Sequence, residues 1–152
     1  MARRPKRLAF LQRWGSYSNE TLVIVGATKG EIIAFMKRLD VKEEIIARFE
    51  RNGPTDDDAD QLAYVWNPPG TGVTLLYFKD WVNDWDHWDT LLHETNHLIH
   101  HVLVKSKGMH EEPEAQAYQQ EFLFRTIRRK LWMLTSTTEK DKKHFKKLLN
   151  GD

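Results

Sequence analysis

Trp88–Lys105 reads WDTLLHETNHLIHHVLVK, and this run decides how the rest of the chain is arranged. At its centre stands an H-E-x-x-H pentad, His93-Glu94-Thr95-Asn96-His97. The spacing predicts a helix, which advances about 100° per residue, so His93 and His97 share one face a turn apart. With His93 at zero, His97 falls near about 40°, His100 near about −20° and His101 near about 80°. Leu91, Leu92, Leu98, Ile99, Val102 and Leu103 fill the opposite arc, a face suited to a core. Two imidazoles so placed can hold one zinc ion at about 2.0–2.1 Å each. Glu94 beside them is placed to take a proton from a water on that ion rather than to ligate it. The residues point to zinc hydrolase chemistry, with peptides as the first substrate class. Chance is the competing reading, but six of the seven His fall between positions 87 and 110, which favours a site.

A zinc hydrolase of this type needs a third protein ligand and an open position for water. Pro113 is favoured at a first helical position, so a helix is predicted from Pro113 to Trp132 with Glu114 in its first turn. On its wheel Glu114, Tyr118, Glu121 and Arg125 share one polar stripe, which should face the His helix if the two pack antiparallel. Glu121 is a rival ligand, although pairing with Arg125 at i+4 is its simpler role. His100 and His101 either ligate, line the site or bond to backbone.

The pentad followed by Glu114-Ala115-Gln116-Ala117-Tyr118 resembles the gluzincin metallopeptidases. It is most similar to the small H-E-x-x-H domains of phages and prophages related to peptidases that cleave immunity repressors. The resemblance spans roughly Thr21 to Trp132. It implies zinc ligation by His93, His97 and Glu114, with Glu94 as general base. It also implies a sheet edge that holds extended substrate by strand pairing, for which Val73–Phe78 is the candidate. Larger gluzincins carry an Asp four residues after the ligand Glu, where this chain has Tyr118. Its hydroxyl is a candidate catalytic group, an orienting partner for a ligand, or packing.

Working outward, Thr21–Val25 (TLVIV) reads as a buried strand, after a turn at Gly15–Glu20. Leu8–Trp14 fits strand or helix equally. Lys29–Leu39 is helical, and Asp40 with Glu43 resembles a capping box opening a second helix that Asn52-Gly53-Pro54 ends. Leu62–Trp66 and Val73–Phe78 read as strands joined by a hairpin loop, Asn67–Gly72. Trp81, Trp85 and Trp88 are candidates for one wall of the site, and Asp89 for the start of the His helix. Lys107-Gly108 ends that helix. Thr55–Asp60 is an acidic loop without the glycine and terminal Glu of an EF-hand.

At 152 residues the chain fits a single zincin-like domain over 1–152, with a basic arm at 1–7 and a basic helix near 138–149. Net charge is +1, but Arg3, Arg4, Lys6 and Arg7 open the chain while Lys140, Lys142, Lys143, Lys146 and Lys147 crowd its end. Solvated ends are the bland reading, and nucleic-acid binding through them is the sharper one. No apolar run approaches the ~20 residues of a membrane span. The absence of cysteine leaves His, Asp and Glu as ligands and suits a reducing cytoplasm.

The expected fold is α+β, a small, mostly antiparallel sheet on the His helix and the Glu-bearing helix. The expected function is a zinc metalloendopeptidase of phage or prophage origin, acting on a protein or peptide in the host cytoplasm or virion. The alternative is a non-catalytic zinc protein, structural or adaptor, that binds a phage or host partner.

Overall fold

A computed structural model describes residues 7–56, 62–68, 71–136 and 143. Leu8–Trp14, ambiguous in sequence, is strand β1, paired antiparallel with β2 at Tyr17–Val25. The turn is tighter than expected because Gly15 takes φ +67°, a first-position geometry suited to a short hairpin. Trp14 explains why LAFLQRW extends, since its indole is fully buried and its Nε1 donates to Thr21 Oγ1 at 2.8 Å. Thr21 Oγ1 in turn bonds Thr74 Oγ1 at 2.8 Å, tying three strands through one buried polar chain.

Helix α1, Lys29–Arg38, is capped by Thr28, whose Oγ1 accepts from Glu31 N–H at 3.3 Å. Asp40 does not open the next helix as the capping-box reading supposed. It holds φ +54° and closes α1, where Val41 N–H reaches back to Met36 O, leaving Lys42 to precede α2 at Glu43–Asn52.

Strands β3, Ala63–Trp66, and β4, Val73–Phe78, form the expected hairpin. The sheet order is β1-β2-β4-β3, with two antiparallel pairings and one parallel pairing between β2 and β4. Parallel neighbours need a long crossover, supplied here by α1 and α2. That crossover puts β4 in the interior, so Val73–Phe78 is not a free edge. The free edge on that side, among the described residues, is β3.

Side chains alternate across the strands, so each face builds its own core. Leu22, Ile24, Leu75 and Tyr77 pack under α1 and α2 with Ile32, Met36 and Phe49. Val23, Val25, Leu76 and Phe78 pack on the other face with Leu91, Leu98, Leu123 and Ile127 of the last two helices. The result is an α+β fold of three layers.

Helix α3 spans Trp85–Ile99. Asp84 caps it, accepting from His87 N–H at 2.9 Å, so Asp89 lies a turn inside rather than at the start. Beyond Ile99 the coil widens into a π-helix over His100–Ser106, with Lys107 N–H bonding five residues back to Val102 O. A wider turn advances less per residue, which lets the successive side chains of Val102, Leu103 and Val104 all reach the core. Gly108, at φ +67°, ends the segment as expected.

Helix α4 begins at Pro113 and runs to Thr135. It lies under β1 while α3 lies under β3. No helix among the described residues is long and apolar enough to cross a membrane. Residues 1–6, the acidic stretch 57–61 and the expected final helix at 138–149, apart from Lys143, lie outside the described residues.

Candidate metal centre

The pentad is helical, and the two imidazoles meet. His93 Nε2 and His97 Nε2 are 3.1 Å apart, with ring planes at 81°. One ring donates its Nε2–H to the other; a cation would use both lone pairs instead. Tetrahedral zinc with bonds of about 2.0–2.1 Å spans two nitrogens by roughly 3.3–3.4 Å, so this pair fits as two of its ligands.

Glu94 is set differently. On the wheel it sits about 60° from His97 and about 40° from Leu98, where α3 meets the sheet. It is largely buried, at 9% exposure, while both histidines are open. Burial raises its carboxyl above the usual carboxylate range, with His97 and His93 pulling it down less strongly. A carboxylate so placed accepts a proton more readily than one in water.

The remaining candidates are not gathered at the pair. No group of three His, Asp or Glu side chains stands at metal-holding distances among the described residues. The reason is how α4 docks. Gln120 Nε2 reaches Leu92 O at 3.5 Å, Trp88 stacks on Trp132 at 6.1 Å, and Arg128 lies 5.1 Å over Trp88. The edge of α3 turned to α4 therefore carries Leu92 and Trp88, about 100° and 140° from His93. Glu114 is exposed in the first turn of α4. Six residues from Gln120 is about 9 Å of helix, so antiparallel packing sets Glu114 level with the His97 turn, on the other flank.

The polar stripe of α4 does not face the His helix. Tyr118, Glu121 and Arg125 line a cleft of about 440 Å³ with the Trp14–Tyr17 turn. Tyr118 is 70% exposed there, and Glu121 pairs with Arg125 at 3.5 Å. The side chains that α4 spends on neighbouring backbone are glutamines, with Gln116 on Met109 O at 2.7 Å and Gln119 on Trp14 O at 3.0 Å.

His101 is half-buried in the π-helical turn, its ring 6.5 Å from that of His97, while His100 is exposed. Burial, then Lys105 and the neighbouring His100 and His97, push His101 below the usual imidazole range, so it stays neutral at pH 7.

The tryptophans do not wall this pair. Trp81 packs edge-on to Phe78 in the core and donates to Asn83 Oδ1 at 2.8 Å. Trp85 and Trp88 belong to the α4 side of α3. No heptad or motif signal marks that indole row in the sequence, because it forms only when Trp132 arrives from another helix.

Compared with models of protein families, with curated proteins and with solved structures, the chain shows no match.

Proposed function

We propose that the chain is a zinc-dependent hydrolase of peptide bonds, with His93 and His97 holding the ion and Glu94 as general base. The carrying observation is the 3.1 Å approach of the two Nε2 atoms beside a carboxylate that burial has made more basic. Bound zinc would supply a Lewis acid that polarises the scissile carbonyl and acidifies water. Glu94 takes the proton of the attacking water and returns it to the leaving amine, so no net proton is lost. Glu114 is the proposed third donor; reaching the ion requires the first turn of α4 to move round the His101 end of α3.

Substrate binding follows from the corrected sheet order. An edge of α3 turned from α4 faces the free flank of β3, because α4 lies under β1 and α3 under β3. An extended peptide added to Ala63–Trp66 would run beside Glu94 and the histidines. The resemblance to phage and prophage gluzincins, with the cysteine-free composition, suggests the host cytoplasm as the setting.

The test is zinc content and peptide hydrolysis of wild type and Glu94→Gln. The variant should keep zinc and lose about 10²- to 10⁴-fold in turnover; unchanged turnover ends this mechanism.

One observation favours the second reading, a non-catalytic zinc protein serving as structural part or adaptor. The histidine pair is open to solvent and no third His, Asp or Glu stands at metal-holding distance among the described residues, so a partner's side chains would complete the four-ligand shell of a structural ion. That reading expects bound zinc, no hydrolysis, and no effect of Glu94→Gln on any property but stability.

A further inference from the structure

The outer groove between α3 and α4 carries a second chemistry. Three indoles run along it: Trp85 meets Trp88 edge-on at 5.0 Å, and Trp88 stacks on Trp132 at 6.1 Å. Trp85 leaves 75% of its surface exposed, the largest exposed apolar side chain described. Arg128 lies over the same row, 5.1 Å from the Trp88 centroid and 5.5 Å from that of Phe124. Arg129 and Lys130 follow it, both partly exposed. Among the described residues no carboxylate pairs with Arg128, Arg129 or Lys130.

Arg128 and Arg129 are adjacent cations that no described carboxylate pairs, and they repel one another, whereas Lys130 turns the other way and lies 5.2 Å over the Phe10 ring of β1. Burial and neighbouring Arg129 both lower the Arg128 pKa. The Nε1–H of Trp88 is buried with no acceptor among the described residues. Guanidinium groups are donors only, so the acceptor that Arg128 and Arg129 lack among the described residues is an anionic oxygen. Asp86 and Asp89 lie within about 40° of His93 on the wheel and Trp88 about 140° round, while Trp85, about 80° from His93, stands between the two edges one turn from Asp89. The histidine pair and the Trp88–Trp132 stack are thus separate surfaces of α3.

We propose that this groove binds single-stranded nucleic acid, with a base stacked on Trp85 and backbone phosphates held by Arg128 and Arg129. The pairing of an open indole face with guanidinium groups that no described carboxylate neutralises fits that ligand: every base offers a face to stack, and every linkage offers an anionic oxygen. A duplex fits less well, because its base faces are hidden. The site does not depend on the metal reading, and neither His93 nor His97 takes part.

The test is fluorescence anisotropy of the full chain with labelled oligothymidylate and oligouridylate, with a matching duplex and anionic vesicles of phosphatidylserine and phosphatidylcholine as further probes. Single strands should bind, and binding should weaken steeply with salt. Trp85→Ala should weaken it about tenfold or more, while Trp85→Phe retains most of it. Arg129→Ala should lower the slope of log affinity against log salt by roughly 0.7. His93→Ala and added chelator should change nothing, which separates this result from any failure of the zinc reading. No binding by wild type overturns the proposal, as does binding untouched by Trp85→Ala and Arg129→Ala, which would assign it to the basic ends. A preference for the vesicles over the oligonucleotides overturns it too.

Discussion

His93 Nε2 and His97 Nε2 stand 3.1 Å apart on adjacent turns of α3, slightly inside the span that zinc would set. A single ion should hold the rings apart and be held by both. We expect zinc to raise the melting temperature, since a ligand at 100 times its Kd stabilises the native state by about 2.7 kcal/mol. His93→Ala and His97→Ala should each abolish that rise. Differential scanning calorimetry with and without zinc checks this, and an unchanged rise in either variant removes the pair as the binding site.

Glu114 and Glu121 are separated by their effect on zinc affinity. Glu121 already pairs with Arg125 at 3.5 Å, so Glu121→Ala should leave zinc binding unchanged. Glu114→Ala should weaken it by more than the roughly 10- to 100-fold typical of losing an outer partner. Competition against a chromogenic chelator measures both. Equal affinities in wild type and Glu114→Ala would leave the ion on two histidines and solvent.

The sequence carries part of this arrangement and not the rest, for physical reasons. The pentad helix, the strand Val73–Phe78 and the Pro113 helix start were legible because period and caps are local properties. The place of β4 in the sheet was not, because a hairpin looks the same whether or not a third strand joins its far side. The α4 stripe is polar in sequence and in structure, but a wheel does not say which neighbour a face meets; the Trp14–Tyr17 turn took it. At Asp40 the sequence does not separate two roles, because one Asp serves a helix start or a left-handed helix end equally well. The π-helical turn left no mark in composition at all.

Asp84 gives a pH signature. Its carboxylate accepts from the His87 N–H at 2.9 Å and from the ring Nδ1 at 2.7 Å, and these bonds, the backbone one foremost, hold its pKa below the usual range. A carboxyl lowered in the native state stabilises the fold above its unfolded pKa, and that gain fades as pH falls through the lowered value. We expect Asp84→Ala to lower the melting temperature at neutral pH, with the gap to wild type closing in strong acid. A gap independent of pH would remove the charge from the explanation.

Thr21 should be intolerant of an isostere. Thr21→Val leaves the buried Trp14 Nε1–H without a partner, at about 1–3 kcal/mol, and leaves the Thr74 hydroxyl with only its long 3.5 Å bond to Glu20 O. Adding Thr74→Val should recover part of the loss by removing the weakly satisfied hydroxyl. Urea denaturation of the single and double variants measures the coupling, and strict additivity would disprove the shared chain of bonds.

Hydrogen exchange tests the corrected edge. With a slowly cleaved peptide bound to Glu94→Gln protein, amides of Ala63–Trp66 should exchange more slowly while those of Val73–Phe78, already paired on both sides, change little. Protection confined to another segment would place the peptide elsewhere.

The parallel seam between β2 and β4 joins positions far apart in synthesis: Leu22 lies beside Leu75. At about 5–20 residues per second a ribosome needs roughly 3–10 s to make the second after the first. Throughout that interval Leu22–Val25, buried in the finished protein, has β1 as its only strand partner, with α1 and α2 arriving on one face alone, and a two-stranded ribbon is marginal in water. The nascent chain therefore carries an unmatched apolar edge for seconds, and the cell's holding chaperones become part of how much of this protein matures.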